Sequence, residues 1–125
     1  MVKRSSSAMS EPEGHPVIKA EDLAELGRCC GPVKVIAEAN FDFVHIEKLK
    51  FLSDGLEVEV EALLCPQLRD GYATRLYLAL PFPSKGQNWT QHHILGRNWH
   101  SWSWQNVPAE QRLVQILLSH LKALK

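Results

Sequence analysis

The chain has 125 residues, of which 45% are hydrophobic and 22% are charged. These values are those of an average soluble domain, and the length is too short for two ordinary domains. Fourteen basic residues balance fourteen acidic ones, and a formal net charge of zero argues against general binding to a phosphate backbone. No apolar run is long enough for a transmembrane helix. Because the basic N-terminus lacks the apolar core of a secretory signal, the sequence predicts a cytoplasmic protein that binds neither nucleic acid nor membrane.

The N-terminal part of the chain is predicted to be a disordered tail followed by a short helix. Residues 1–16 are rich in Ser, Pro and Gly and carry too few apolar side chains to offset the entropy of ordering. Residues 17–125 are expected to form a single domain. It begins with a helix over residues 20–27, where Leu23 and Leu26 share a face and Gly27 suits the C-terminal end.

Four segments have the composition of β-strands: 33–38, 41–49, 56–64 and 75–82. In residues 56–64 apolar side chains alternate with three glutamates, which predicts one face on the core and one face in water. The glutamate stripe is interpreted as a solvated face, with an acidic docking face as the alternative. A shift of the apolar phase between Phe43 and Val44 indicates a bulge or a twist there.

The C-terminal part combines an irregular segment with a helix. Residues 84–107 show no steady period and are expected to be a loop or very short elements, and a loop this long in a small domain is usually functional. Pro108 then begins a helix whose apolar stripe includes His120, which we expect to be a buried core histidine. The whole order predicts an α+β fold with an N-terminal helix, a four-stranded antiparallel meander, a long Trp-rich flap loop and a C-terminal helix.

The three cysteines are expected to be reduced thiols, because a disulfide framework usually needs an even number. Cys29 and Cys30 are adjacent and lack the two-residue spacer of common zinc sites. A zinc site built from Cys29, Cys30, Cys65 and the histidines is the less favoured alternative, so neither a metal nor a cofactor is expected. Cys65 falls opposite Leu64, on the glutamate face or at the exit of its strand, and is interpreted as a structural thiol, with a catalytic role as the alternative.

The order of the predicted elements resembles that of the ubiquitin-conjugating enzyme fold. In that family a first helix precedes a four-stranded meander, and a long flap carries the active site ahead of the next helix. Residues 78–83, Leu-Ala-Leu-Pro-Phe-Pro, look like the strand and proline-rich turn of the family. A Gly-Arg-x-Trp-x-x-Trp-Ser motif is similar to that of a bacterial branch found beside ubiquitin-like proteins, activating enzymes and deconjugating peptidases; it comprises Gly96, Arg97, Trp99, Trp102 and Ser103.

This resemblance implies that the chain acts in the transfer of a bacterial ubiquitin-like protein from an activating enzyme to a target. Those two proteins would be its partners, in a gene set associated with defence against phage. The chain departs from the family pattern at its active site. His92 and His93 are not followed by the Pro-Asn of the family's His-Pro-Asn triplet, and no cysteine lies between residues 66 and 125. The family's nucleophilic thiol is therefore missing from its expected place.

Transfer of an acyl group needs an exposed nucleophile, an oxyanion donor and a base. Ser103, which falls on the motif, and Ser101 are the candidate nucleophiles for an oxyester, and Cys65 is the rival for a thioester. His100, beside Ser101, is a candidate base, as are His92 and His93 upstream of it.

The two serines have another interpretation, in which they only cap or turn the backbone. A non-catalytic variant of the same fold, which binds the ubiquitin-like protein or the activating enzyme, is the alternative function. Exposure of Ser101 and Ser103, with a histidine within hydrogen-bond reach, distinguishes the two functions.

All four tryptophans lie within sixteen residues, from Trp89 to Trp104. A loop without regular hydrogen bonding must be held by side chains, so Trp99 and Trp102 are expected to plug the core beneath it rather than bind a partner. Arg97 is expected to stack on a ring or to bond loop carbonyls. Trp89 lies outside the motif and is expected to be the most exposed of the four.

Overall fold

A computed structural model describes residues 18–38, 40–69, 71–82, 88–104 and 107–124. The elements in chain order are α1 (Ala20–Cys30), β1 (Val33–Glu38), β2 (Phe41–Ser53), β3 (Leu56–Cys65), β4 (Arg75–Leu78), β5 (Trp89–Ile94), β6 (Arg97–Trp102) and α2 (Leu113–Leu121), with a 3₁₀ turn at Lys122–Leu124. The α+β class is confirmed. The predicted disordered tail, residues 1–16, lies outside the described residues.

One antiparallel sheet carries all six strands in the order β1-β2-β3-β4-β6-β5. Its first four strands form the predicted meander. A loop was predicted over residues 84–107, but residues 89–102 are not a loop, because β5 and β6 form a hairpin with six paired positions. Its turn is made by Leu95 and Gly96, both with positive φ, the geometry that joins two strands through two residues.

The two helices pack on one face of the sheet, and we call this the helix face. Its core is aliphatic apart from Trp102, and its buried members include Leu26, Val44, Ile46, Ala62, Leu64, Leu76, Leu78, Ile116 and Leu117. His120 is also buried there, as predicted. Trp104 donates its Nε1–H to the carbonyl of Ser119 at 2.9 Å, which ties the segment after β6 to α2.

The opposite face of the sheet has a second core. It is largely aromatic, and its buried residues are Phe43, Leu63, Cys65, Tyr77, Ile94 and Trp99. This core explains the apparent phase shift in β2, because Phe43 and Val44 are each buried, on opposite faces. The bulge was predicted at the wrong place. The register between β1 and β2 is regular across Phe43 and Val44, whereas the register between β2 and β3 shifts between Ile46 and Leu49.

A curl of the sheet encloses this second core. The backbone N–H of Leu95 donates to Oε1 of Glu38 at 2.6 Å, although β1 and β5 are the two edge strands. In a flat sheet five strand spacings would separate those edges by about 24 Å. The hairpin can bend over the face because β4 and β6 are paired only at Leu78 and His100. We call the enclosed side the concave face.

Candidate functional site

The motif residues of β6 divide between the two faces of the sheet. Side chains alternate along a strand, so Arg97, Trp99 and Ser101 belong to the concave face, while His100 and Trp102 belong to the helix face. Trp99 and Trp102 are both buried, as expected, but each belongs to a different core. The concave face is therefore where most of the candidate residues meet, and the polar residues around it define the site.

Ser101 is sequestered within the sheet. Its side chain is only 1% exposed, and its hydroxyl donates to the carbonyl of Leu76 at 2.7 Å. The same oxygen accepts a hydrogen bond from Nε of Arg75 at 3.0 Å. His100 is on the other face and is not placed to take its proton. Ser101 consequently has the surroundings of a structural hydroxyl.

Ser103 is exposed just beyond the end of β6. Its backbone N–H donates to the carbonyl of Asn88 at 3.2 Å, and its Oγ accepts a hydrogen bond from the Tyr72 hydroxyl at 3.3 Å. No histidine among the described residues makes a hydrogen bond with it. Ser103 thus has the access that a nucleophile needs, without a base in the described part of the chain.

The three candidate histidines have other contacts. The Nε2 atom of His92 lies 2.7 Å from the Thr90 hydroxyl, and its ring meets the Tyr77 ring edge-on at 5.1 Å. His93 is exposed, with Nδ1 3.5 Å from Oδ1 of Asn98. His100 is half-buried on the helix face. The structure brings His92 to the concave face but brings none of the three to a candidate serine.

Cys65 is completely buried in the second core. Its thiol donates to the carbonyl of Gln67 at 3.4 Å. It lies on the side of β3 opposite Leu64, which is the position that its phase in the sequence predicts. No acyl donor can reach this sulfur in the folded chain.

Arg75, which the sequence analysis did not single out, is at the centre of the concave-face polar groups. It begins β4 and is only 4% exposed. Besides the bond to Ser101, its Nη2 donates to the Thr90 hydroxyl at 3.3 Å, and its guanidinium carbon lies 4.1 Å from the centre of the Tyr72 ring. A charged residue within an otherwise apolar strand was the available signal.

A second arginine, Arg69, lies near Arg75 and over the aromatic rings of the second core. The guanidinium carbon of Arg69 is 5.2, 5.7 and 5.6 Å from the ring centres of Phe41, Phe43 and Tyr77. Its Nη1 donates to the Tyr77 hydroxyl at 2.7 Å. Burial raises the pKa of Tyr77, and this outweighs the opposing effect of Arg69, so the phenol keeps its proton at neutral pH. We call the part of the site formed by Arg69, Tyr72, Arg75, Thr90 and Ser103 the arginine end.

An ion-pair network occupies the other end of the concave face. Glu61 lies between His45, whose Nε2 is 2.6 Å from Oε2, and Arg97, whose Nη1 is 2.9 Å from Oε1. Burial alone would raise the pKa of Glu61, but the hydrogen bonds from His45 and Arg97 lower it overall. Arg97 also stacks on Trp99, at 4.4 Å from the ring centre, as predicted. Glu61 therefore belongs to an ion-pair network, whereas the glutamate stripe was interpreted as a solvated face.

Trp89 is less buried than Trp99 and Trp102. It is half-buried, and its ring lies between Phe82 at 6.2 Å and Trp102 at 5.1 Å. Its Nε1, like that of Trp102, is buried with no hydrogen-bond partner among the described residues. Trp89 consequently closes the helix-face core instead of offering an exposed ring to a partner.

The cysteines and acidic residues provide little for a metal. Cys29 and Cys30 end α1, on the helix side of the sheet, while Cys65 is in the second core. Within the described ranges no three His, Cys, Asp or Glu side chains are grouped so as to hold an ion. Likewise, no helix in those ranges has the length and apolarity to cross a membrane.

Chemically, the concave face offers cationic and hydroxyl donors at one end and a carboxylate network at the other. The donors suit the binding of an anionic group, and the exposed Ser103 hydroxyl is the accessible candidate for covalent chemistry. Comparison with known proteins gave no match to this chain among protein-family models, curated proteins or solved structures.

Proposed function

We propose that the chain is a non-catalytic domain resembling the ubiquitin-conjugating enzymes. It would take part in attaching a bacterial ubiquitin-like protein by binding that protein or its activating enzyme, without itself holding the acyl group. The observation that carries the proposal is the burial of Ser101, whose proton is already donated to the Leu76 carbonyl. Such a hydroxyl has neither access nor a free proton to give to a base.

The other two candidate nucleophiles support the same conclusion. Cys65 is enclosed in the second core, so a thioester there would require the sheet to open. Ser103 is accessible, but its Oγ has only the Tyr72 hydroxyl as a described partner, and that hydroxyl donates its proton to Oγ instead of accepting one. A serine without a base is a weak nucleophile.

The order of elements also supports the resemblance to the ubiquitin-conjugating enzyme fold, except at the flap. A helix precedes a four-stranded meander, and the motif stands between the meander and the next helix. The departure is the flap, because residues 89–102 form a hairpin that extends the sheet. A hairpin held by pairing and by buried tryptophans is a fixed surface, which suits binding more than the closing of a loop over an intermediate.

An apolar groove between β2 and α2 provides a surface for the partner. It measures about 390 Å³ and is lined by Phe51, Leu52, Leu118 and Leu121, with Lys50 and Lys122 at its rim. Leu52 is 60% exposed and Leu118 is 55% exposed, which is unusual for neighbouring leucines. The lysines favour a partner whose apolar patch is bordered by carboxylates.

The test is reconstitution with an activating enzyme, its ubiquitin-like protein and ATP, followed by intact-mass measurement of this chain. We expect no covalent adduct, while the activating enzyme becomes charged. An adduct that resists thiol and yields to hydroxylamine would overturn the proposal in favour of a serine oxyester. Ser103→Ala should then remove it, whereas Ser101→Ala should not.

The binding arm of the experiment uses the groove. Leu118→Ser should weaken association with the ubiquitin-like protein or the activating enzyme by about tenfold, because burial of a leucine contributes roughly 1.5–3 kcal/mol. Leu68→Ser is the matched control, since Leu68 is 69% exposed and lies outside the groove. Absence of any association in wild-type chain would contradict the proposed function.

A further inference from the structure

The most buried described arginine has no acidic partner among the described residues. Arg97 and Arg112 pair with Glu61 and Glu25 although their side chains are 46% and 54% exposed. Arg75 is 4% exposed, and its two hydrogen-bond partners, Ser101 and Thr90, are neutral hydroxyls. Burial of a charge without a counter-charge is costly, so this arrangement calls for an anion.

The surrounding sequence supplies few candidates for that anion. Between Glu61 and Glu110 there are four Lys and Arg residues and one acidic residue, Asp70, which lies outside the described residues. Although the formal net charge of the chain is zero, this segment is therefore basic. Arg69 places a second guanidinium at the same end of the concave face. The local field favours a negatively charged ligand.

The guanidinium of Arg75 uses only part of its hydrogen-bonding capacity within the described residues. It carries five N–H groups, and two of them are used by Ser101 and Thr90. Its Nη1 makes no hydrogen bond with a described residue, so the N–H groups of this nitrogen are unused there. The Tyr72 ring covers one face of the guanidinium plane, so a ligand would meet the remaining N–H groups at the edge of that plane.

We propose that the arginine end is a binding site for an oxyanion, either a carboxylate or a phosphate group. The free N–H groups of Arg75 match the paired oxygens of either group. The Tyr72 hydroxyl donates to Oγ of Ser103 at 3.3 Å and so holds the Ser103 hydroxyl, whose own proton is a further donor for the anion. This site concerns small anions and is independent of the proposed partner groove on the helix side.

The test is an NMR titration of the isolated chain with sodium phosphate and, separately, with N-acetylglycylglycine. NaCl holds the ionic strength constant, and the amide of the same dipeptide is the neutral control. We expect saturable shifts of the Arg75 Nε–H signal and of the Tyr72 and Ser103 amides with at least one anion, and none with the amide. A preference for the dipeptide would identify a peptide C-terminus as the source, and a preference for phosphate would identify a phosphorylated ligand.

Variants separate specific binding from general attraction. Arg75→Gln should weaken binding by about tenfold or more, because it removes charge-assisted hydrogen bonds. Arg28→Gln, an exposed position on α1, should leave binding unchanged. If Arg75→Gln does not fold, the double variant Tyr72→Phe with Ser103→Ala should reduce affinity severalfold. The proposal is overturned if neither anion binds, if the shifts map away from Arg75, or if Arg28→Gln has the same effect.

Discussion

The ring of His120 and the hydroxyl of Thr74 meet 2.9 Å apart in the core beneath α2. Thr74 donates its proton to the carbonyl of Val107 at 2.9 Å, so its oxygen must accept from Nε2 of the histidine. His120 is consequently the neutral tautomer with the proton on Nε2. Burial, reinforced by the positive charge of Arg75, lowers the pKa of His120 from 6.5 to about 4.

The lowered pKa of His120 predicts that the folded chain loses stability in mild acid. Between pH 6.5 and about 4 the unfolded chain binds a proton that the folded chain excludes, so the free energy of unfolding falls as the pH falls through that window. The loss reaches about 3 kcal/mol at its lower end. Urea unfolding measured between pH 7 and 4 checks it. His120→Gln should flatten the profile, whereas the exposed control His93→Gln should keep the wild-type slope.

Glu61 predicts a smaller effect at lower pH. Its lowered pKa means that its contribution is present above the usual carboxyl pKa of 4.5 and is lost as the pH falls below that value. Because its side chain is 30% exposed, we expect Glu61→Gln to cost about 1 kcal/mol at pH 7. Glu59→Gln, on the same strand and exposed, should change stability by less than about 0.5 kcal/mol. Equal losses in both variants would show that the network contributes nothing.

The contact between Glu38 and Leu95 predicts how the concave face is held closed. Glu38→Ala removes a carboxylate acceptor from a backbone N–H and should cost about 1–2 kcal/mol. Hydrogen exchange at the Leu95 and Gly96 amides should accelerate by more than global unfolding explains. Glu47→Ala is the control, since Glu47 is an exposed acid on β2. Unchanged exchange at the hairpin tip in Glu38→Ala would contradict the role of this contact.

The elements that were predicted from the sequence have an apolar composition or a regular apolar period. The four meander strands and α2 each present an apolar face to the helix-face core, and that periodicity is visible in the chain. The hairpin was missed because its residues are polar and aromatic and show no steady period, although Trp99 and Trp102 of β6 each fill one of the two cores. Its turn, Leu95-Gly96, also lacks the Asn-Gly or Asp-Gly signal that marks residues 54 and 55.

The site was predicted only in part, for a related reason. Ser101 and His100 are neighbours in the sequence, but in a strand neighbours point to opposite faces, so a candidate pair was separated. The charge of Arg75 in an apolar strand marked the residue but not its contacts, because its partners Ser101 and Thr90 lie 26 and 15 residues away. Contacts between residues so far apart in the sequence depend on how the sheet curls, and no local sequence pattern predicts that curl.

The last prediction concerns Gly96, the first residue of the motif. Its substitution distinguishes a requirement for glycine in the β5–β6 turn from a requirement for glycine in partner binding. Its φ is +76°, and a Cβ built there would meet nothing within 4 Å, so Gly96→Ala should cost about 1 kcal/mol through backbone strain alone. Gly27 is the matched control, because it lies within α1 with an ordinary 3.6 Å contact to Val33.

Gly27→Ala should therefore raise the free energy of unfolding by about 0.5–1 kcal/mol, through its better helix propensity. Thermal unfolding of both variants measures this opposite pair of shifts. If Gly96→Ala leaves stability unchanged but abolishes association with the ubiquitin-like protein or the activating enzyme, the glycine serves the close approach of a partner. The turn geometry would then be a secondary reason for its presence.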